Sequence, residues 1–184
     1  KSHMKSMLQV VKKTISKNKI LVEVGCGQGD FLNLVKKDGY FKYYGFDKTY
    51  RGKDKKISKR YLLRKDKIYA DIIVLRHVLE HVQNPYKFLK ILNEIFENKK
   101  IFIEVPNYEW IIRNNAFYDI TYEHVNYFTP KSLSSLFGGK FIKRGHCFNK
   151  QYYYFLANLG NLSSKFSKEY NSKKWSYLNF YNLF

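Results

Sequence analysis

Ile20-Leu-Val-Glu-Val-Gly-Cys-Gly-Gln-Gly-Asp-Phe31 decides the fold. Residues 20–24 are apolar and rich in β-branched side chains, broken by Glu23 alone, which reads as a buried strand. Gly25, Gly27 and Gly29 follow, and Phe31, Leu32, Leu34 and Val35 then recur at helical spacing. Strand, glycine turn and helix form the opening βα unit of a doubly wound α/β sheet, which binds cofactors at the carboxyl ends of its strands. A dinucleotide fingerprint begun at Gly25 would need glycine at position 30, where Asp30 stands. A carboxylate there takes the place at the helix N-terminus that would otherwise attract a pyrophosphate. The turn suits a ligand without phosphate, above all one with positive charge.

The 184 residues fit one domain with a real core. Lys1-Ser-His-Met4 reads as a cloning remnant and residues 5–160 as the catalytic-type domain. No apolar run approaches the length of a membrane span, no signal-peptide pattern is present, and a cytoplasmic location is expected. Cys26 and Cys147, far apart in sequence, suggest neither a disulfide framework nor a metal cluster. The net charge of +19 invites nucleic acid, with Lys53, Lys55, Lys56, Lys59, Arg60, Arg64, Lys65 and Lys67 making one dense stretch. Only six of the 34 basic residues are arginine, and Asn, Ile, Tyr and Phe are abundant. That bias fits an A/T-rich coding sequence, so a solvated face or an anionic-substrate site is favoured over RNA.

Outward from the glycine turn, residues 5–17 predict a first helix, and the helix after the turn stops near Asp38-Gly39. Residues 43–47 read as the second strand, ending on Asp47, about twenty residues beyond the turn, where an acid can accept hydrogen bonds from ribose hydroxyls. The short, polar interval up to Asp71 leaves room for a third strand at 57–63 but not for full flanking helices. Asp66 and the backbone of 62–65 are candidates for the adenine. Residues 70–75 read as strand four, and Asn84-Pro85 caps a helix. Residues 101–105 read as strand five. An aromatic insert at 107–130, a helix at 131–137 stopped by Gly138-Gly139, and strands at 140–148 and 152–158 complete a seven-stranded sheet. The tail 161–184 is too aromatic for a disordered linker and is expected to pack on the domain or on a partner, a homodimer included.

The string Glu23-Val-Gly-Cys-Gly-Gln-Gly29 resembles motif I of class I S-adenosylmethionine-dependent methyltransferases. That cofactor has no phosphate and carries a sulfonium and an ammonium. Ala70-Asp-Ile-Ile-Val-Leu-Arg-His-Val-Leu-Glu-His-Val82 with Asn84-Pro85 resembles motif IV of the same enzymes, in the type 11 and type 23 group. Asp119-Ile-Thr-Tyr-Glu-His-Val-Asn-Tyr-Phe-Thr-Pro130 is similar to a segment of sugar C-methyltransferases. The resemblance covers residues 20–137. It departs at Thr121 and Tyr122, where those enzymes have tyrosine and histidine, and their cysteine-rich zinc module and C-terminal extension lack a counterpart in these 184 residues. It implies a Rossmann-like sheet with an antiparallel last strand and an aromatic lid after strand five. It also implies S-adenosylmethionine held by Glu23, Gly25, Cys26, Gly27, Gly29, Phe31, Asp47, Lys48, Arg76 and His77.

Methyl transfer is an in-line displacement, so the enzyme must align acceptor and sulfonium and remove a proton if the acceptor is a hydroxyl. Histidine suits that task because it titrates near neutrality. His124 inherits the base role from the resemblance, accompanied by Glu123; otherwise it is a lid residue. His77 and His81, at i and i+4, would share one side of a helical turn, and no ligand set for a metal converges by spacing. His81 either orients substrate or satisfies helix hydrogen bonds, and His146 reads as structural. The expected acceptor is a small carbohydrate-like molecule, such as a surface-polysaccharide precursor. RNA or protein methylation through 53–67, and a non-catalytic cofactor-binding subunit, are the competing readings.

Overall fold

The computed structural model describes residues 2–66 and 68–165. The aromatic tail beyond Lys165 and Lys67 of the basic stretch lie outside the described residues. Seven strands form one sheet in the order β3-β2-β1-β4-β5-β7-β6. They are β1 (Ile20–Val24), β2 (Lys42–Phe46), β3 (Ile57–Ser58), β4 (Ile72–Arg76), β5 (Lys100–Pro106), β6 (Lys143–Cys147) and β7 (Tyr152–Asn158). The first five are parallel; β7 runs antiparallel between β5 and β6, as the resemblance implied.

Side-chain alternation sends apolar residues of the central strands to both faces of the sheet. Leu21, Ile72, Val74 and Phe102 pack on one face with Met7, Leu8 and Val11 of α1 (Ser2–Lys12) and Phe31, Leu32 and Val35 of α2 (Asp30–Asp38). Val22, Ile73, Leu75, Ile101 and Ile103 pack on the other with Leu89, Leu92 and Phe96 of α3 (Pro85–Phe96). Both faces of a parallel sheet are covered by helices, so past their first residues the central strands are apolar on both sides except at Glu23, Arg76 and Glu104, near their carboxyl ends. Gly39 ends α2 in a left-handed conformation, and the Asn84 side chain accepts from Lys87 N at 2.9 Å to start α3.

Several expected elements differ: β6 spans Lys143–Cys147 rather than 140–148, the helix expected at 131–137 spans Pro130–Ser135, and three differences are larger. Helix α1 begins at Ser2 and ends at Lys12 rather than running from 5 to 17, because the chain turns to bury Ile15. Strand β3 is two residues long rather than seven. Arg60 pairs with Asp66 at 2.6 Å and Leu63 N donates to the same carboxylate at 2.7 Å, which folds 60–66 into a loop off the sheet edge. His77 and His81 share no helical turn. His77 is left-handed at φ 54°, and only Leu79–His81 form a short 3-10 turn, so the two rings face different neighbours. The interval from β2 to β4 carries no helix among the described residues, as its length predicted.

Candidate cofactor and acceptor site

The glycine turn sits at the carboxyl end of β1, where Gly25 N donates to Phe46 O at 2.8 Å. Gly25 has φ 75°, and a Cβ there would lie 2.5 Å from a Val78 methyl. Gly29, at φ 79°, would press its Cβ to 2.7 Å from Ile57. Left-handed backbone and close approach together require glycine. Asp47, just past β2, reaches the turn: its Oδ2 accepts from Gly27 N at 2.7 Å and its Oδ1 from Thr49 N at 2.7 Å. Lys48 lies over the Tyr61 ring at 5.4 Å. Cys26 is buried under the turn, with its thiol pushed up to about 12 by burial and by the Glu23 charge. Asp66 accepts from Arg60 at 2.6 Å and from Leu63 N at 2.7 Å.

Beneath the turn lies a buried charge row that sequence spacing could not show. Glu23 of β1, Arg76 of β4 and Glu104 of β5 share the α1/α2 face of the sheet, and Arg76 is paired in register with Glu104. Arg76 Nε donates to Glu104 Oε2 at 2.7 Å, and its guanidinium lies 4.8 Å from the Phe31 ring centre. Burial pushes the Glu104 carboxyl up, but the hydrogen bond from His3 and the Arg76 charge outweigh it and hold the group down at about 2. Burial instead dominates at Glu23, only partly opposed by Arg76, and raises it to about 8. One cation between two glutamates is then close to neutral near pH 7, because one glutamate keeps its proton.

Beside the turn, a second group of side chains comes from two segments far apart in sequence. The corner 77–82 after β4 touches the glycine turn through Val78. The loop 119–128 is hydrogen-bonded onto that corner: Val125 N and Asn126 N donate to Glu80 O at 2.9 and 3.0 Å, and Asn126 Nδ2 to Val82 O at 2.6 Å. The pairing brings the rings of His81 and His124 to 4.8 Å, edge to face. His81 Nδ1 bonds Glu123 O at 2.9 Å, and His124 Nδ1 bonds Asp119 O at 3.1 Å. A carbonyl only accepts, so both Nδ1 atoms carry hydrogen, and Nε2 is the ring nitrogen left to offer a lone pair.

Glu123 meets this cluster through its backbone; its side chain is exposed and accepts from Tyr122 OH at 3.3 Å. The carboxylate that does join the histidines is Glu80, which the sequence reading passed over. It is 1% exposed, and His77 Nδ1 stands 3.5 Å from its Oε1. An acid within Val78-Leu79-Glu80, between apolar neighbours, is the sequence signal that could have found it. His3, assigned above to a remnant, opens into the same region by contacting Glu104. His146 lies on β6 beside Tyr153, away from the cluster, and Arg60 and Arg64 of the basic stretch pair with Asp66 and Glu94. Tyr122, Tyr118 and Phe117 of the insert are exposed.

Comparison with known proteins bears on this geometry. Residues 3–139 match the family described as "Methyltransferase domain". No curated protein matches the chain. Among solved structures, an S-adenosylmethionine-dependent methyltransferase from Archaeoglobus fulgidus is similar at 20% identity, over 84% of this chain and 92% of that one, with a TM-score of 0.60. Magnesium protoporphyrin IX methyltransferase from Synechocystis, with bound S-adenosylhomocysteine, shares 12% identity over 84% and 80%, with a TM-score of 0.60. A complex of the Haloferax volcanii Trm112 methyltransferase activator with a candidate methyltransferase gives 10% identity over 86% and 90%, with a TM-score of 0.67.

Proposed function

The chain belongs to the methyltransferase-domain family, as a class I S-adenosylmethionine-dependent enzyme, and we propose that its acceptor is a hydroxyl of a small, carbohydrate-like molecule such as a surface-polysaccharide precursor. One observation carries this reading. The loop that bears His124 is hydrogen-bonded to the corner at the carboxyl end of β4, and that corner touches the glycine turn through Val78. A basic imidazole nitrogen therefore stands on the acceptor side of the cofactor cleft.

The chemistry balances simply. The acceptor oxygen gives its proton to His124 Nε2 and bonds the methyl carbon as the carbon–sulfur bond breaks, and the released pair stays on sulfur as the neutral thioether. S-adenosylmethionine supplies the electrophilic methyl group. In this reading Asp47, which accepts from Gly27 N of the turn, takes the ribose hydroxyls, and the glycine turn admits the methionine tail above Glu23. His81 positions the loop by its bond to Glu123 O.

The test is labelled-methyl transfer from S-adenosylmethionine to a panel of nucleotide-linked sugars, in the wild type and in His124→Ala. Label should enter a sugar hydroxyl, and the variant should turn over about 100-fold to 10,000-fold more slowly. Label carried by RNA or protein instead, or undiminished turnover by the variant, would overturn the reading.

A further inference from the structure

We infer that Glu80, His81 and His124 bind a divalent transition-metal ion, of the zinc, cobalt or manganese kind, that takes the acceptor's oxygen as a further ligand. The inference rests on the hydroxyl-acceptor reading above for its chemistry, but not for the binding itself. One ligand atom from each of the three side chains lies within 4.8 Å of the other two. Two imidazoles and a carboxylate are a ligand set for such ions, and three protein ligands leave positions open for substrate.

Two features separate this cluster from a chance gathering. The first is Glu80 itself. Its carboxylate is buried, and neither oxygen accepts a hydrogen bond. An ionised group in that position costs several kcal/mol unless something compensates it, on the order of what a buried unpaired charge costs generally. The contrast is Glu104, nearby and equally buried, whose charge is matched by Arg76 and His3. Around Glu80 the only basic neighbour within ion-pair distance among the described residues is His77 Nδ1, at 3.5 Å. A cation is the missing partner.

The second feature is the orientation of the two rings. Each Nδ1 is anchored on a backbone carbonyl, Glu123 O for His81 and Asp119 O for His124. That outer contact fixes the tautomer and presents Nε2 as the free donor, which is how metal-binding histidines are held. His81 is exposed and His124 half-buried, so an ion can enter from solvent.

With an ion in place the single free lone pair of His124, on Nε2, would be a ligand and no longer the base described above, so the proton would leave by another route. The ion would supply Lewis acidity: a hydroxyl bound to it would be more acidic and would release its proton to solvent as its oxygen bonds the methyl carbon and the carbon–sulfur pair stays on sulfur. The ion alters how the acceptor is activated; the bond made and the bond broken are the same.

The full chain, stripped with chelator, is titrated with Zn2+ and Co2+ by calorimetry, with Co2+ absorption as a second reading. One ion per chain is expected, with visible cobalt bands of imidazole–carboxylate ligation. Glu80→Gln and His124→Ala should each weaken binding by about 100-fold or more, and His146→Ala should leave it unchanged. Circular dichroism identifies a variant that fails to fold; His81→Asn, at an exposed position, then stands in for it. A wild type that binds neither ion, or Glu80→Gln and His124→Ala variants that bind as the wild type does, would overturn the inference. Chelator-resistant methylation of a sugar hydroxyl with no ion bound would sink it and leave the hydroxyl reading standing. Ion binding by a chain that methylates only RNA would do the reverse.

Discussion

Glu23 carries a specific pH signature. In the folded chain its carboxyl keeps its proton up to about pH 8, whereas an unfolded glutamate titrates near 4.5. The folded form binds more protons between those values, so this contribution to stability is full below 4.5 and is lost as pH rises through 8. Glu104 acts oppositely: its contribution is present above 4.5 and is lost as pH falls toward 2. Replacing Glu23 by Gln should therefore raise the melting temperature relative to wild type at about pH 9 more than at about pH 5, with a slope of at most about 1.4 kcal/mol per pH unit. Calorimetric scans of both proteins at the two pH values check it; a constant difference would show that Glu23 is ionised in the folded chain. At Gly25 the expected effect is steric. Alanine there meets Val78 and a left-handed backbone, so Gly25→Ala should abolish cofactor binding and lower stability by at least about 1 kcal/mol. The glycines and Asp47 were legible because each answers a local demand of spacing or backbone. The grouping of Glu80 with His124 was not, since folding brings it about from a segment some forty positions away.

At the scale of elements, what could be read was what local chemistry fixes. Strand β7 falls at 152–158 and α3 starts at Pro85, each marked by its own pattern or cap. Strand β3 came out shorter because the Arg60–Asp66 pair, a contact between side chains, draws the loop away. The 77–81 turn came out non-helical because its partners lie on β5 and in the 119–128 loop. The helix Pro130–Ser135 closes that loop through a capping box, with the Thr129 hydroxyl accepting from Ser132 N at 3.0 Å. Thr129→Ala should cost about 1 kcal/mol, lowering the melting temperature by roughly 2–4 °C. Loosening the box also loosens the loop behind His124, so turnover should fall more than cofactor affinity does; equal losses in both would place the effect elsewhere.

For the molecule as a whole, charge and cleft make separate statements. Of the basic stretch, Arg60 and Arg64 are paired with Asp66 and Glu94, and Lys56 lies over Tyr43. Methyl transfer should then respond weakly to salt. A steep linear fall of log affinity with log salt would instead mark phosphate contacts and favour a nucleic-acid acceptor. Among the described residues no helix is long and apolar enough to cross a membrane. The family match spans residues 3–139; the glycine turn is dense in sequence signals, whereas the cluster of Glu80, His81 and His124 is assembled by folding, which is why it was harder to read. The central claim is the cleft at the carboxyl ends of β1, β2 and β4, and its most direct test is calorimetric titration of the full chain with S-adenosylmethionine and, in parallel, with NADH. One S-adenosylmethionine bound per chain at micromolar affinity, lost in Gly25→Ala and with no response to NADH, is the result expected. Absence of S-adenosylmethionine binding by the wild type at high micromolar concentration, or binding of NADH in its place, would contradict it.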